Sequence, residues 1–174
     1  MQSGRRNFFK GAAAVVFGGA ALAAPVGAGL AVLLDPLRHR DGAGGRWVRV
    51  TALEAIPADD IPRKFAVVAD KIDAWNKIPD VPIGAIYLRR STNNELEALS
   101  VVCPHAGGII DYDAATACFL CPLHKSLFNP DGSIKDKKSP SPRGMDSLPV
   151  EVRDGAIWVQ FENFRVGVAQ KIPA

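Results

Sequence analysis

Cysteine and histidine are scarce in this chain, with three of each among 174 residues. Three cysteines make a poor disulfide framework, because one is left over and a chain of this length can bury a core without staples. Strong charge is also missing. The formal net charge is +3, and basic residues are spread along the chain among acidic neighbours. That distribution lacks the electrostatic footprint of a nucleic-acid-binding protein. No internal repeat occurs, which removes solenoids and arrays. The length allows one ordinary domain plus a short appendage.

Glycine and proline are plentiful, at 16 and 13 residues, many of them between short apolar runs. From Arg46 onward these runs are Trp47–Val50, Phe65–Val68, Ile83–Leu88, Leu96–Val102, Phe119–Leu120, Leu148–Val152 and Ile157–Phe161. Short Val- and Ile-rich segments punctuated by turn residues predict an all-β domain, a compact antiparallel sandwich or barrel. Pro79, Pro82 and the stretch Ser139–Gly144 read as loops, since proline cannot donate to a ladder. Trp47, Trp75 and Trp158 carry no ligand pattern and read as core or rim aromatics.

The first residues follow different rules. Arg5, Arg6 and Lys10 precede Gly11–Leu34, a run of 24 residues without a charge. As a helix that run is roughly 36 Å long, enough for a hydrocarbon core of about 30 Å. Arg5-Arg6-Asn7-Phe8-Phe9-Lys10 resembles the twin-arginine export signal, which implies a cargo that crosses the membrane already folded. The span length favours an anchor that stays, and Ala21-Leu22-Ala23 offers signal peptidase a cutting site as the alternative. In the anchored case the positive-inside rule keeps Arg5, Arg6 and Lys10 in the cytoplasm and places the rest on the periplasmic side. The expected organisation is a signal and membrane anchor over 1–34, a polar, glycine-rich hinge over 35–45 and a globular domain over 46–174. His39 falls in the hinge and reads as a solvated linker residue.

The other two histidines each sit beside a cysteine. One box is Cys103-Pro104-His105-Ala106-Gly107, the other Cys121-Pro122-Leu123-His124-Lys125-Ser126, with fifteen residues between His105 and Cys121. Two thiolates and two imidazoles suit a tetrahedral zinc site, although zinc motifs more often group Cys with Cys and His with His. A nucleophilic Cys–His pair would leave the second box unexplained. Cys118 forms a Cys-x-x-Cys with Cys121, the spacing of a redox dithiol. With Cys121 used in the box, Cys118 is expected to be a buried thiol packing as a small hydrophobe.

The boxes, their separation and their prolines resemble the Rieske iron-sulfur family, from roughly Trp47 to the end of the chain. The resemblance implies a β-sandwich base with a small cluster-binding subdomain, here about 101–130. It also implies a 2Fe-2S cluster with Cys103 and Cys121 on one iron, and His105 and His124 on the other. Neutral histidines in place of two thiolates raise the potential to about −150 to +300 mV, against about −400 mV for plant-type ferredoxins. Quinol-oxidising members usually add a cysteine to each box, joined as a disulfide; the matching positions are Gly108 and Leu123. They also place hydroxyls two and four residues after the second histidine. Ser126 keeps the first, which makes it a cofactor-binding residue, and Phe128 replaces the second. One lost donor to cluster sulfur predicts a potential in the lower or middle part of the range.

The stretch Ser139–Gly144 resembles the proline loop of cytochrome bc-type Rieske subunits. The resemblance therefore implies the iron-sulfur subunit of a quinol:cytochrome c or plastocyanin reductase, with His124 facing quinol. Its partners would be a cytochrome b subunit and a c-type cytochrome, in a respiratory chain and in a complex that can be homodimeric. The missing disulfide and the run His124-Lys125-Ser126-Leu127-Phe128 also resemble the Rieske small subunit of a periplasmic molybdenum enzyme like arsenite oxidase. A free electron carrier is a third class. An oxygenase α-subunit needs two further histidines for a mononuclear iron, and His39 is the only one left.

Overall fold

The computed structural model describes residues 3–38, 45–72 and 76–174. Trp75 and His39 lie outside the described residues, as do positions 39–44 of the expected hinge. The chain divides into two units, an N-terminal one and one that carries the strands.

The first unit is a single helix, α1, Ser3–Arg38. Its segment Gly4–Leu34 contains an 18-residue window of mean hydropathy 1.9 and has no buried side chains, and by length and composition it can cross a membrane. Pro25 does not end it; the loss of one N–H is tolerable where neighbouring Ala and Gly leave room around the backbone. α1 continues past Leu34 through Asp35–Arg38, the first residues of the expected hinge.

Among its described residues the second unit has ten strands: β1 Arg46–Ala52, β2 Arg63–Ile72, β3 Lys77–Arg90, β4 Leu96–Ser100, β5 Asp111–Asp113, β6 Cys118–Leu120, β7 Leu127–Phe128, β8 Ser147–Leu148, β9 Val150–Arg153 and β10 Ala156–Phe161. They form three antiparallel sheets, ordered β1-β10-β9, β2-β3-β4-β8 and β5-β6-β7. The all-β expectation holds. Val48, Ile157, Val159 and Phe161 from the first sheet share one core with Val67, Ile86, Leu88, Ala98 and Leu148 from the second. Period-two alternation on β10 turns Ile157, Val159 and Phe161 inward together. The two sheets are thus the layers of a sandwich.

Gly84 in β3 sets how closely those layers meet, because a Cβ there would lie 2.3 Å from Phe161 Cζ. Pro79 and Pro82 do not mark a loop as expected; both lie within β3. The reason is local. β4 pairs with β3 only from Ile86 onward, and the β2 ladder is irregular between Val67 and Val68 and between Ala69 and Lys71. Prolines are tolerated where a strand has a bulge or a free edge. β5 escaped sequence reading because Asp-Tyr-Asp is short and mostly acidic.

Trp47 and Trp158 are half-buried and hold the Arg153 guanidinium between them, 4.7 and 5.4 Å from their ring centroids. Both are rim aromatics.

Gly84→Ala should lower the free energy of unfolding by about 1–3 kcal/mol through overpacking. Phe161→Leu in the same chain should recover part of that loss, both read by urea unfolding; no recovery would show that Phe161 is not the obstacle.

Candidate metal centre

The two boxes fold into loops of one design. Cys103 N–H donates to Gly108 O at 2.7 Å, and Gly107 N–H donates back to Cys103 O at 2.9 Å. Cys121 N–H donates to Ser126 O at 2.9 Å, and Lys125 N–H donates to Cys121 O at 3.0 Å. The fourth residue after each cysteine must turn the chain through positive φ, +78° at Gly107 and 62° at Lys125. Glycine meets that requirement freely, whereas lysine is held there against its preference. Pro104 and Pro122 follow the cysteines, at positions that donate no bond in either loop.

β6 carries the chain into the second loop and β7 carries it away, while the first loop leaves β4 and leads towards β5. Both thiols belong to a second core with Tyr87, Leu99, Val101, Ile110, Phe119, Phe128 and Met145. Tyr87 joins that core to the base. Its hydroxyl donates to Ile110 O at 3.2 Å and accepts from Tyr112 N–H at 3.1 Å, and its ring lies 4.8 Å from that of Phe119. Burial pushes the Tyr87 phenol up. No sequence motif points to this residue, which lies in an ordinary apolar run.

The site is divided by polarity. Cys103 and Cys121 are 1% and 2% exposed, His105 is half-buried, and His124 is exposed. The two imidazole centroids are 4.7 Å apart with ring planes at 79°. Burial pushes the Cys103 thiol up, opposed by the His105 backbone amide and reinforced by the neighbouring Cys121 thiol; the nearby Ser126 hydroxyl opposes it weakly. All three cysteines are free thiols.

Three buried polar side-chain atoms among the described residues lack a well-formed hydrogen bond, and two of them are His105 Nδ1 and Ser126 Oγ. Such atoms are costly to leave unpaired. A nitrogen that binds metal and a hydroxyl that donates to sulfide would both be satisfied by an iron-sulfur group between the loops. Among the described residues no three His, Cys, Asp or Glu side chains converge on one ion position. The pairing of thiol with thiol and imidazole with imidazole suits two irons better than one zinc ion.

Gly108 and Leu123 face each other. A Cβ on Gly108 would meet Leu123 Cδ1 at 2.5 Å and Cys121 Sγ at 3.2 Å. The leucine thus fills the place between the loops where the family's disulfide is expected, and its side chain is left 60% exposed. Cys118 lies apart from the boxes as a buried thiol, 2.9 Å from Thr116 Oγ1.

Residues 46–153 match the family model of the Rieske [2Fe-2S] domain. The chain belongs to the Rieske family, and its cofactor is a Rieske-type 2Fe-2S cluster. Among its relatives are the cytochrome b6-f complex iron-sulfur subunit of Chlorobaculum tepidum and iron-sulfur subunit 3 of the same complex in Nostoc. The first is 33% identical, over 68% of this chain and 69% of its own length. The second is 31% identical, over 88% of this chain and 80% of its own length. The chloroplast subunit of Bigelowiella natans is 36% identical over 40% of this chain, which spans only 28% of that relative. Among solved structures, the plasma membrane Rieske protein PetC3 from Synechocystis is 20% identical, with a TM-score of 0.40 over 49% of this chain and 85% of its own.

Tyr87→Phe should destabilise the domain by about 1–3 kcal/mol, because it leaves Tyr112 N–H and Ile110 O without their partner. Lys125→Gly should leave stability unchanged or raise it by up to about 1 kcal/mol, since only glycine adopts that backbone freely. Denaturant titration of both variants checks the two signs.

Proposed function

We propose that this chain is the iron-sulfur subunit of a membrane quinol:cytochrome c or plastocyanin reductase. Cys103 and Cys121 hold one iron, His105 and His124 hold the other, and Ser126 Oγ donates to cluster sulfur. The observation that carries this reading is the polarity of the site, with both thiols sealed in the core and His124 open to solvent. When bound, the cluster accepts one electron at a time at about −150 to +300 mV.

A quinol releases two electrons and two protons, so its oxidation needs a proton acceptor beside the electron acceptor. His124 supplies one through its exposed imidazole. An imidazole ligand that takes up a proton as the cluster takes up an electron makes the potential fall as pH rises. Ser126 is buried and keeps its hydroxyl, and Phe128 is buried with none to offer, which supports a potential in the lower or middle part of the Rieske range.

The anchored topology completes the proposal. Arg5, Arg6 and Lys10 stay in the cytoplasm as part of a twin-arginine signal, α1 spans the membrane once, and the domain over 46–174 works on the periplasmic side. Residues 35–45 join the two. Partners of the kind implied are a cytochrome b subunit and a c-type cytochrome, in a complex that can be dimeric. The cytochrome b6-f names of the relatives favour this reading over a molybdenum-enzyme subunit.

The test is an EPR-monitored redox titration of the full chain at several pH values. A Rieske-type signal with a potential that falls as pH rises is expected, and a pH-independent potential would exclude histidine ligation. Replacing Cys103, His105, Cys121 or His124 by Ala should abolish the signal, and a variant that keeps it removes that residue from the site. Ser126→Ala should lower the potential by roughly 60 mV or more, the equivalent of one hydrogen bond to a charged acceptor.

A further inference from the structure

Beyond β10 the chain does not trail away. Arg165 N–H donates to Ile172 O at 2.8 Å, Ala174 N–H donates to Asn163 O at 2.9 Å, and Phe164 bridges Pro173. Residues 163–174 are therefore closed on themselves as a small strap. The bend of the strap reaches the first cysteine loop. Gly167, at φ +76°, donates its N–H to Pro104 O at 2.8 Å, and a Cβ there would lie 3.7 Å from the His105 carbonyl oxygen. Val166 Cγ1 lies beside Gly107.

One side chain fixes that bend. Arg143, at the end of the proline loop, donates Nη2 to Arg165 O at 2.9 Å and Nη1 to Val168 O, so a single guanidinium grips both sides of the turn that presents Gly167. The same guanidinium forks onto Asp146 through Nε and Nη2, both at 2.8 Å, and the two side chains are 10% and 6% exposed. Ser141 Oγ donates to Arg143 O at 2.7 Å and holds the loop beneath it. A planar fork with donors on two edges is needed for this; an ammonium keeps the charge but cannot reach three carbonyl and carboxylate partners at once.

Between the loops themselves the His105 and His124 rings meet edge to face and Leu123 packs against Gly108, with no disulfide joining them. We propose that the C-terminal strap, positioned by Arg143, is the clamp that holds the first cysteine loop shut, the task a disulfide between positions 108 and 123 would perform. Arg143 and Gly167 are positioning residues: Gly167 touches the backbone of the cysteine loop, and Arg143 the backbone of the strap. The proposal rests on Cys103 and His105 being cluster ligands.

The experiment follows loss of the cluster from the loaded full-length protein under chelator, by visible absorbance and EPR amplitude, beside a far-UV melt of the strands. Arg143→Lys keeps Asp146 paired, so the strands should melt as in the native chain while the cluster is lost about tenfold faster, the factor given by one charge-assisted hydrogen bond. A chain ending at Glu162 should behave likewise; if it fails to fold, Arg143→Lys decides. Gly108→Cys with Leu123→Cys, closed by a thiol oxidant and verified by mass, should restore native retention in the Arg143→Lys background, because removal of the leucine opens the space between the loops. Native retention in Arg143→Lys, parallel loss of strands and cluster, or no restoration by the closed bridge would each overturn the clamp. Absence of a Rieske signal from the native chain, or its survival in Cys103→Ala, would instead defeat the ligand assignment and the clamp with it.

Discussion

A cysteine amide that donates to the carbonyl five residues on, answered by an amide four residues on that donates to the cysteine carbonyl, occurs in both boxes. This pair of closures decides where each side chain of the site points. It turns Cys103 and Cys121 into the core and leaves the imidazoles towards the outside, without help from any side-chain staple. Because the closures are made by backbone, the loops tolerate Ala106 and Lys125 at their tips, but they demand positive φ at one place each. The cost of Lys125 in that conformation is local strain of the kind that persists only where the surroundings over-determine it.

Tyr87 ties the loops to the base by polar bonds as well as by packing. Its phenol is buried, and its one oxygen serves both a carbonyl and an amide of the chain around β5. The base sandwich and the metal-binding tip therefore share a polar bond inside a hydrophobic contact, which gives the tip a fixed orientation that packing alone does not specify.

The sequence made the chemistry more legible than the architecture. Cys103, His105, Cys121 and His124 stand out as candidate ligands because cysteine and histidine are rare in this chain and each box pairs one of each in a tight turn. The apolar runs located most strands because period-two burial leaves a local trace, as on β10. Pro79 and Pro82 misled, since the tolerance of proline within β3 depends on which side of the strand β4 covers, and that is tertiary information. Tyr87 and Arg143 carried no signal for a related reason: each acts on backbone atoms distant in the chain, and a backbone atom has no letter in the sequence. Ser126 was legible as a hydroxyl in the second box, but its lack of any protein partner is visible only in three dimensions.

The prolines of β3 bear on how the molecule behaves among its own copies. Residues 77–84 pair with β2 on one side, while β4 begins its pairing only at Ile86. That leaves a stretch of strand with one flank uncovered, where a neighbouring chain could add itself by backbone hydrogen bonds. Pro79 and Pro82 remove two amides from the stretch, and Asp80, at φ 55°, kinks it between them. An extended segment broken in this way is a poor template for intermolecular sheet, so the same residues that interrupt the ladder guard the domain against self-association.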